Sequence, residues 1–413
     1  MTKSKARRNV IAVGVLFVLT GALIFFMKSF GGPPVIGPEP EEISKIRMTG
    51  ENAYFQLDAA LKMLPPVAVS KQITDTDFEK GPLAELLDVY LKEDAPEIAA
   101  AIEASRPAVA TARKQLQMPH LLVPIDWKRL REEPFLYYDD GYKLLPLATR
   151  MFLVAVDDAE GGADVGDAVQ GIVDYYRLQW RFVDELEVNF FVLSGTSARA
   201  ALIRQCPPGF QTRLLPALLE FRAQWQPPKF LLDTKLRIFE ARRSSRALYV
   251  YMPFIQAIQA VDQNLRAVRA RPLLARNYST LQEVCGYTLS QYREWEKKNR
   301  ALADAANLPY FDLSLEQICR SNSFYLMEID GLCALLAIEQ YKRDRGQYPE
   351  SLQDLAPDYV PKPPTDPFSG QPFIYRREGD DYRLYATGFG GRDQGGHRYH
   401  CTDVLIHIPP GAE

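Results

Sequence analysis

The chain has 413 residues, with 49 Lys and Arg against 52 Asp and Glu, for a net charge of −3. The near-neutral balance gives no basic field for a nucleic-acid backbone. An apolar fraction of 47% leaves ample core for one large domain or two, and five cysteines are too sparse for a disulfide framework, although an exported chain permits one or two bridges.

Residues 1–9 form a basic tail with Lys3, Lys5, Arg7 and Arg8, followed by an uncharged apolar run from Val10 to Met27. Eighteen residues (10 to 27) rise about 27 Å as a helix, enough for a thin or locally adjusted bilayer. Basic residues in front and Glu39, Glu41 and Glu42 behind predict a cytoplasmic N-terminus, with everything after residue 30 outside the cytoplasmic membrane. The run ends Phe25-Phe26-Met27-Lys28, a poor cleavage site, so residues 10–30 are expected to remain as an anchor rather than leave as a signal peptide. Residues 31–50, rich in Gly and Pro, are expected to be a tether.

Residues 51–313 read as helical almost throughout. Val165, Val169, Ile172, Tyr176, Trp180 and Val183 recur at three- and four-residue steps, with Asp174, Arg177, Arg181 and Asp184 on other faces. Similar stripes cover Ala53–Leu64, Tyr142–Val156, Thr212–Trp225, Phe230–Ile258 and Thr280–Ala305. Breaks fall at Pro65-Pro66, Gly161-Gly162, Cys206-Pro207-Pro208-Gly209 and Pro227-Pro228. No fixed repeat period emerges, so the expectation is an irregular antiparallel helical array. Tyr175, Tyr176, Phe182, Phe190, Tyr249 and Phe254, interleaved with Arg237, Arg242 and Arg246, form either an aromatic and arginine groove or, as helical spacing favours, core residues beside a solvated face.

Residues 314–413 are a different kind of unit. Ser314 is placed as an N-cap, with Gln317 at capping-box spacing. A long helix follows, running out through Lys342, Arg343 and Arg345 to a Gly346 stop, with Pro349–Leu355 as a short second helix. Residues 373–377 and 382–387 predict a hairpin, 388–396 a glycine-rich loop, and 404–408 a last strand. The fold class is therefore mainly α: a transmembrane helix, a helical array, and a C-terminal α+β unit of one long helix and a small antiparallel sheet.

Residues 315–396 resemble the C-terminal part of the major pseudopilin of type II secretion systems. The resemblance rests on Tyr341-x4-Gly346-x-Tyr348-Pro349, the Leu352/Leu355 turn, Asp366-Pro367-Phe368-x-Gly370-x-Pro372, and the Tyr382-x-Leu384-Tyr385 strand entering the glycine loop. The whole chain resembles bacterial membrane-anchored helical proteins with such a tail. Pilin-type subunits carry a Gly-Phe processing site and a Glu near the start of the membrane helix, absent around Gly14 and Gly21. Their membrane helix is also continuous with the pilin helix, whereas here the helical region intervenes. A polymerising pilin is not expected.

The resemblance further implies calcium in the glycine loop. Gly390 and Gln394 sit where acidic ligands align, leaving Asp393 and Asp403 as calcium candidates. His397 and His400, beside Cys401 and His407, are candidate transition-metal ligands, against an exposed polar segment. No cofactor is otherwise implied. No Gly-x-Ser-x-Gly elbow, His-Glu-x-x-His or phosphate-cradling glycine loop occurs in the sequence. The expected function is a non-catalytic, single-pass envelope protein with a binding or scaffold role linked to secretion or surface assembly. Its partners would be the membrane, through residues 10–30, and an envelope protein, through the C-terminal unit, with no nucleic acid. The competing expectation is a membrane-tethered hydrolase of envelope polymers, using carboxylate pairs such as Asp139/Asp140 or Asp184/Glu185.

Overall fold

The computed structural model describes residues 36–65, 96–132, 144–162, 164–184, 196–228, 231–244, 270–308, 313–396 and 403–409. The apolar run 10–27 lies outside them, and among the described residues no helix is long and apolar enough to cross a membrane. What is described is mainly helical, with a small three-stranded antiparallel sheet near the C-terminus.

The first helices are α1 (Glu41–Arg47) and α2 (Ala53–Leu61). Part of the stretch read as a tether is therefore packed structure. Glu39 and Arg47 form a 2.7 Å ion pair with side chains only 3% and 1% exposed, and Trp127 Nε1 donates to the same carboxylate at 2.9 Å. A buried carboxylate needs such neutralisation, and here it fastens the start of the domain to the segment around residue 127. Asn52 then caps α2 through Tyr54 N, and its amide group spans to both the N–H and the carbonyl of Leu122.

Next come α3 (Pro96–Gln115), α4 (Trp127–Glu132), α5 (Leu145–Glu160) and α6 (Val165–Asp184). The turn at Gly161-Gly162 folds α6 back against α5, and α3 covers α5 in turn. Val169, Ile172 and Tyr176 are buried as their spacing requires. Asp174, on another face than the apolar stripe, is buried too. Arg113 of α3, Arg177 and Gln170 all bind its carboxylate, which makes that burial tolerable.

Pro207-Pro208 separates α7 (Thr196–Gln205) from α8 (Pro208–Ala223), which starts four residues before the stripe read from Thr212 and carries proline in its first turn. After α9 (Leu231–Ser244), the stripe expected as one helix over 280–305 is three: α10 (Tyr278–Val284), α11 (Leu289–Lys298) and α12 (Arg300–Ala306). Thr288 and Gln291 form a reciprocal capping box that restarts the chain as α11, and Asn299 divides α11 from α12. A two-residue ribbon, β1 (Asn307–Leu308) with β2 (Leu313–Ser314), was too short to carry a strand pattern.

The axis of the molecule is α13 (Leu315–Arg345). Ser314 Oγ accepts from Gln317 N at 3.1 Å, Asn307 Oδ1 takes Glu316 N, and Gly346 closes the helix at φ 76°. From Ser321 to Ile338 every residue except Asp330 is buried. A helix buried on nearly every face must be enclosed, and α6, α7, α8 and α11 pack on α13 from the array while β4 and β5 close its far side. One cluster of buried apolar side chains runs continuously from Ala53 to Ile406.

The expected second helix at Pro349 is only a 3₁₀ turn, Leu352–Leu355, capped by Ser351 and Asp354. The strands β3 (Ile374–Glu378) and β4 (Asp381–Ala386) form the predicted hairpin, pairing Glu378 with Asp381 across Gly379-Asp380. The last strand, β5 (Val404–His407), adds to β4 with a bulge at Leu384/Tyr385. Its Ile406 lies so close to α13 that a Cβ on Gly331 would sit 2.6 Å from Ile406 Cδ1.

Candidate functional site

Two seams join the array to the C-terminal unit. The first is ionic. Arg199 of α7 pairs with Glu328, Arg222 of α8 with Asp330 at 2.8 Å, and Arg204 of α7 with Glu339 at 2.7 Å. All three acids belong to α13. Burial pushes the Asp330 carboxyl up against the pull of Arg222.

Arg204 is the hub. Its guanidinium also reaches Asp381 Oδ1 (3.0 Å), donates to Tyr348 Oη (2.8 Å), and lies 3.2 Å from His407 Nε2. Tyr382 Oη donates to Glu339 at 3.0 Å beneath it. One planar fork thereby ties α7 to α13, β4, β5 and the chain after α13, a geometry a lysine cannot reproduce. His407 Nε2 also sits 3.0 Å from Asp381 Oδ1. Burial and the Arg204 charge hold His407 below its usual value, against the opposing pull of Asp381. Burial works to raise Asp381, but His407 and Arg204 keep it below the ordinary carboxylate range.

The second seam is built from α11 and two loops. Asp366, 1% exposed, organises the first loop: it accepts from Phe368 N (2.8 Å), Ser369 Oγ (2.7 Å), Thr387 N (3.1 Å) and Thr387 Oγ1 (2.6 Å). The loop docks on α11 through Ser290 N to Pro367 O at 3.3 Å, and Arg293 donates to Phe389 O in the second loop. Phe368 stacks edge-on against Phe324 of α13 and Phe389, with centroids 4.7 and 5.7 Å away. Between α11 and these loops lies an open groove of about 780 Å³, bordered by Tyr287, Gln291, Lys297, Ser369, Gln371 and Gly391.

The predicted calcium residues do meet at one loop. Asp393 accepts from Tyr385 Oη (2.8 Å), Gly395 N (2.8 Å) and Arg376. Burial acts to raise its carboxyl, but these three donors hold it below its ordinary value. Asp403 Oδ2 accepts from Gln394 N (3.0 Å) and Gly396 N (2.9 Å), which leaves Oδ1 without a partner among the described residues. The loop's own N–H groups, Tyr385 and Arg376 thus engage three of the four carboxylate oxygens of the two residues. Among the described residues no group of three or more His, Cys, Asp or Glu is placed to hold a metal ion. His397, His400 and Cys401 lie outside the described residues, as do Asp139, Asp140, Glu185, Phe190, Tyr249 and Phe254. Tyr175 and Tyr176 are core residues. Cys206, Cys285, Cys319 and Cys333 are buried, and burial pushes the Cys206 thiol up to about 12, unlike a reactive nucleophile.

Sequence reading missed Arg204 and the hub role of Asp366, and weighed His407 only as a neighbour of candidate metal ligands. A signal existed for the first seam: Glu328 and Asp330 interrupt the apolar stretch 324–338, Glu339 ends it, and buried acids require basic partners. No family model, curated protein or solved structure matches this chain.

Proposed function

We propose that the chain is a non-catalytic, single-pass envelope protein, anchored by residues 10–30, whose helical array and pseudopilin-like C-terminal unit form one binding scaffold outside the cytoplasmic membrane. The observation that carries this reading is the enclosure of α13. Its stretch from Ser321 to Ile338 is wrapped by the array and by the sheet, and tied by Arg199, Arg204 and Arg222. A pilin-type filament packs the membrane helix, continuous with the pilin helix, against neighbouring subunits. Here α13 is instead enclosed within the chain, so the unit serves as a core on which the array is built and contacts envelope components from its periphery.

The hydrolase alternative gains nothing from the groove. A general acid needs a raised carboxyl in a desolvated position, and Glu294, the exposed acid of the groove, is lowered by Lys297 instead.

Fractionation and protease exposure test the proposal. The full chain is expected in the membrane fraction, resistant to alkaline extraction, with the region after residue 36 cut by protease added outside the cytoplasmic membrane. A reporter after Pro409 should be active only outside. A mature protein found wholly in the soluble fraction would refute it.

A further inference from the structure

The groove between α11 and the two C-terminal loops presents a specific chemistry. Its walls are fixed in advance: Ser290 N holds Pro367 O, Gly370 N closes on Asp366 O at 2.8 Å, and Arg293 ties the second loop. Gly370 and Gly391 both hold positive φ, 73° and 61°. A Cβ at Gly391 would lie 2.7 Å from Arg293 Nη1, so glycine is what lets the loop approach the helix and leave the groove open.

The charges along the groove cancel and are locally satisfied. Lys297 pairs with Glu294 at 2.6 Å, Glu296 with Arg300 at 3.5 Å, and Arg293 is engaged by Phe389 O. A polyanion or polycation would find no net field there. Extended peptides are usually gripped by an open strand edge, helical ones by an apolar trough. This groove is walled by a helix and loops, and Tyr287 and Phe368 are the apolar side chains it offers.

Neutral planar amides and an aromatic ring remain. The Gln371 carboxamide makes no hydrogen bond among the described residues, and Gln291 uses its Oε1 on Thr288 N, which leaves its NH₂ group to donate. Tyr287, with its hydroxyl bound to Glu283 at 2.8 Å, lends its ring to one wall. Amide groups can both donate to and accept from sugar hydroxyls, and an aromatic face matches the C–H face of a pyranose ring. The geometry points to a binding site for a neutral glycan segment, held between Tyr287, Gln291 and Gln371. That the glycan is an envelope polymer rests on the function proposed above; the chemistry of the groove does not.

The test uses the full chain in lipid nanodiscs and three probes: a tetramer of N-acetylglucosamine, a maltose-type tetramer, and an uncharged extended decapeptide. Saturable binding of at least one tetramer by calorimetry is expected, weakened about tenfold by Tyr287→Ala and by Gln371→Ala, the loss of one stacking or hydrogen-bonding partner each. The pair Glu294→Ala and Lys297→Ala should leave it within about twofold, because net-neutral rim charges contribute little. Thermal midpoints separate a folding defect from a binding one, and Gln371→Ala, at an exposed position, provides the variant least able to disturb the fold. Binding of the decapeptide alone, binding of no tetramer, or tetramer binding indifferent to Tyr287 and Gln371 would each overturn the site. Failure of the chain to float with lipid would instead count against the anchor and leave the glycan result standing.

Discussion

The two seams joining the array to the C-terminal unit solve the same problem in opposite ways. The Arg204 seam is closed, a half-buried hub whose guanidinium is engaged by Glu339, Asp381, Tyr348 and His407. The α11 seam is held at two points and left open between them. A surface whose polar groups are all satisfied internally has little left to offer a ligand, whereas one with free amides over a rigid floor does. The contrast assigns holding to the first seam and recognition to the second.

The largest expected effect breaks the open seam from below. Asp366→Ala removes a carboxylate that accepts four hydrogen bonds in a site 1% exposed, stranding Thr387 N and Phe368 N. It should cost about 4 kcal/mol in chemical denaturation, at about 1–3 kcal/mol for each stranded donor after partial relaxation. Asp366→Asn keeps the shape and one acceptor and should cost about 2 kcal/mol. A loss below about 1 kcal/mol for the alanine variant would mean that Asp366 does not organise the loop.

Arg204→Met attacks the closed seam. It leaves Glu339 and Asp381, with side chains 13% and 19% exposed, without their shared cation. The expected cost is about 3 kcal/mol, less than for a fully buried pair because the site is partly solvated. Arg204→Lys should recover only a minority of this, since a single ammonium cannot serve α7, α13, β4 and β5 together. Equal stability of Arg204→Lys and the parent chain would show that geometry is irrelevant and only charge counts.

How much of this was legible in the sequence differs between the seams for a physical reason. Local rules gave the skeleton of the C-terminal unit. Ser314, Gly346 and the Gly379-Asp380 turn each act within a few residues, and each is where sequence placed it. Helix breaks at Gly161-Gly162 and Pro207-Pro208 were likewise local. Arg204 was not legible, because its partners lie up to 203 residues away and nothing near it is unusual. The three-helix split of 280–305 was missed because Thr288 and Asn299 interrupt the stripe without proline, and periodicity alone passes over a cap. The groove, made of three segments distant in sequence, has no linear signature at all.

A smaller effect sharpens the closed seam by testing its apolar side. Gly331 reads in sequence as an isolated helix glycine, costly without a reason. The reason is contact with Ile406: a Cβ there would sit 2.6 Å from Ile406 Cδ1. Gly331→Val should cost about 2 kcal/mol through overpacking, despite the better helix propensity. If it is neutral, β5 is not pressed on α13, and Arg204 alone holds the sheet in place.

The smallest effect concerns protons at the Arg204 hub. Facing His407 are Arg204 from α7, Glu339 from α13, and Asp381 and Tyr382 from β4. Neutral His407 accepts from Arg204 at Nε2; once protonated it can only donate, toward Asp381, and it then repels the guanidinium. Burial and Arg204 hold its folded value below the usual one, so in the window beneath about pH 6.5 the unfolded chain binds a proton that the folded chain excludes. This contribution to stability is complete above about pH 6.5 and is lost as pH falls through the folded value. Asp381 acts lower down: its depressed value stabilises above about pH 4 and is lost below. Thermal midpoints of the full chain should therefore drop between about pH 7.5 and 5.5, and His407→Gln should flatten part of that slope. Arg204→Met should flatten it too, because the cation that opposes protonation is gone. Parallel pH profiles for the parent chain and His407→Gln would place the histidine outside the hub's energetics, and the closed seam would then rest on Arg204 and its carboxylates alone.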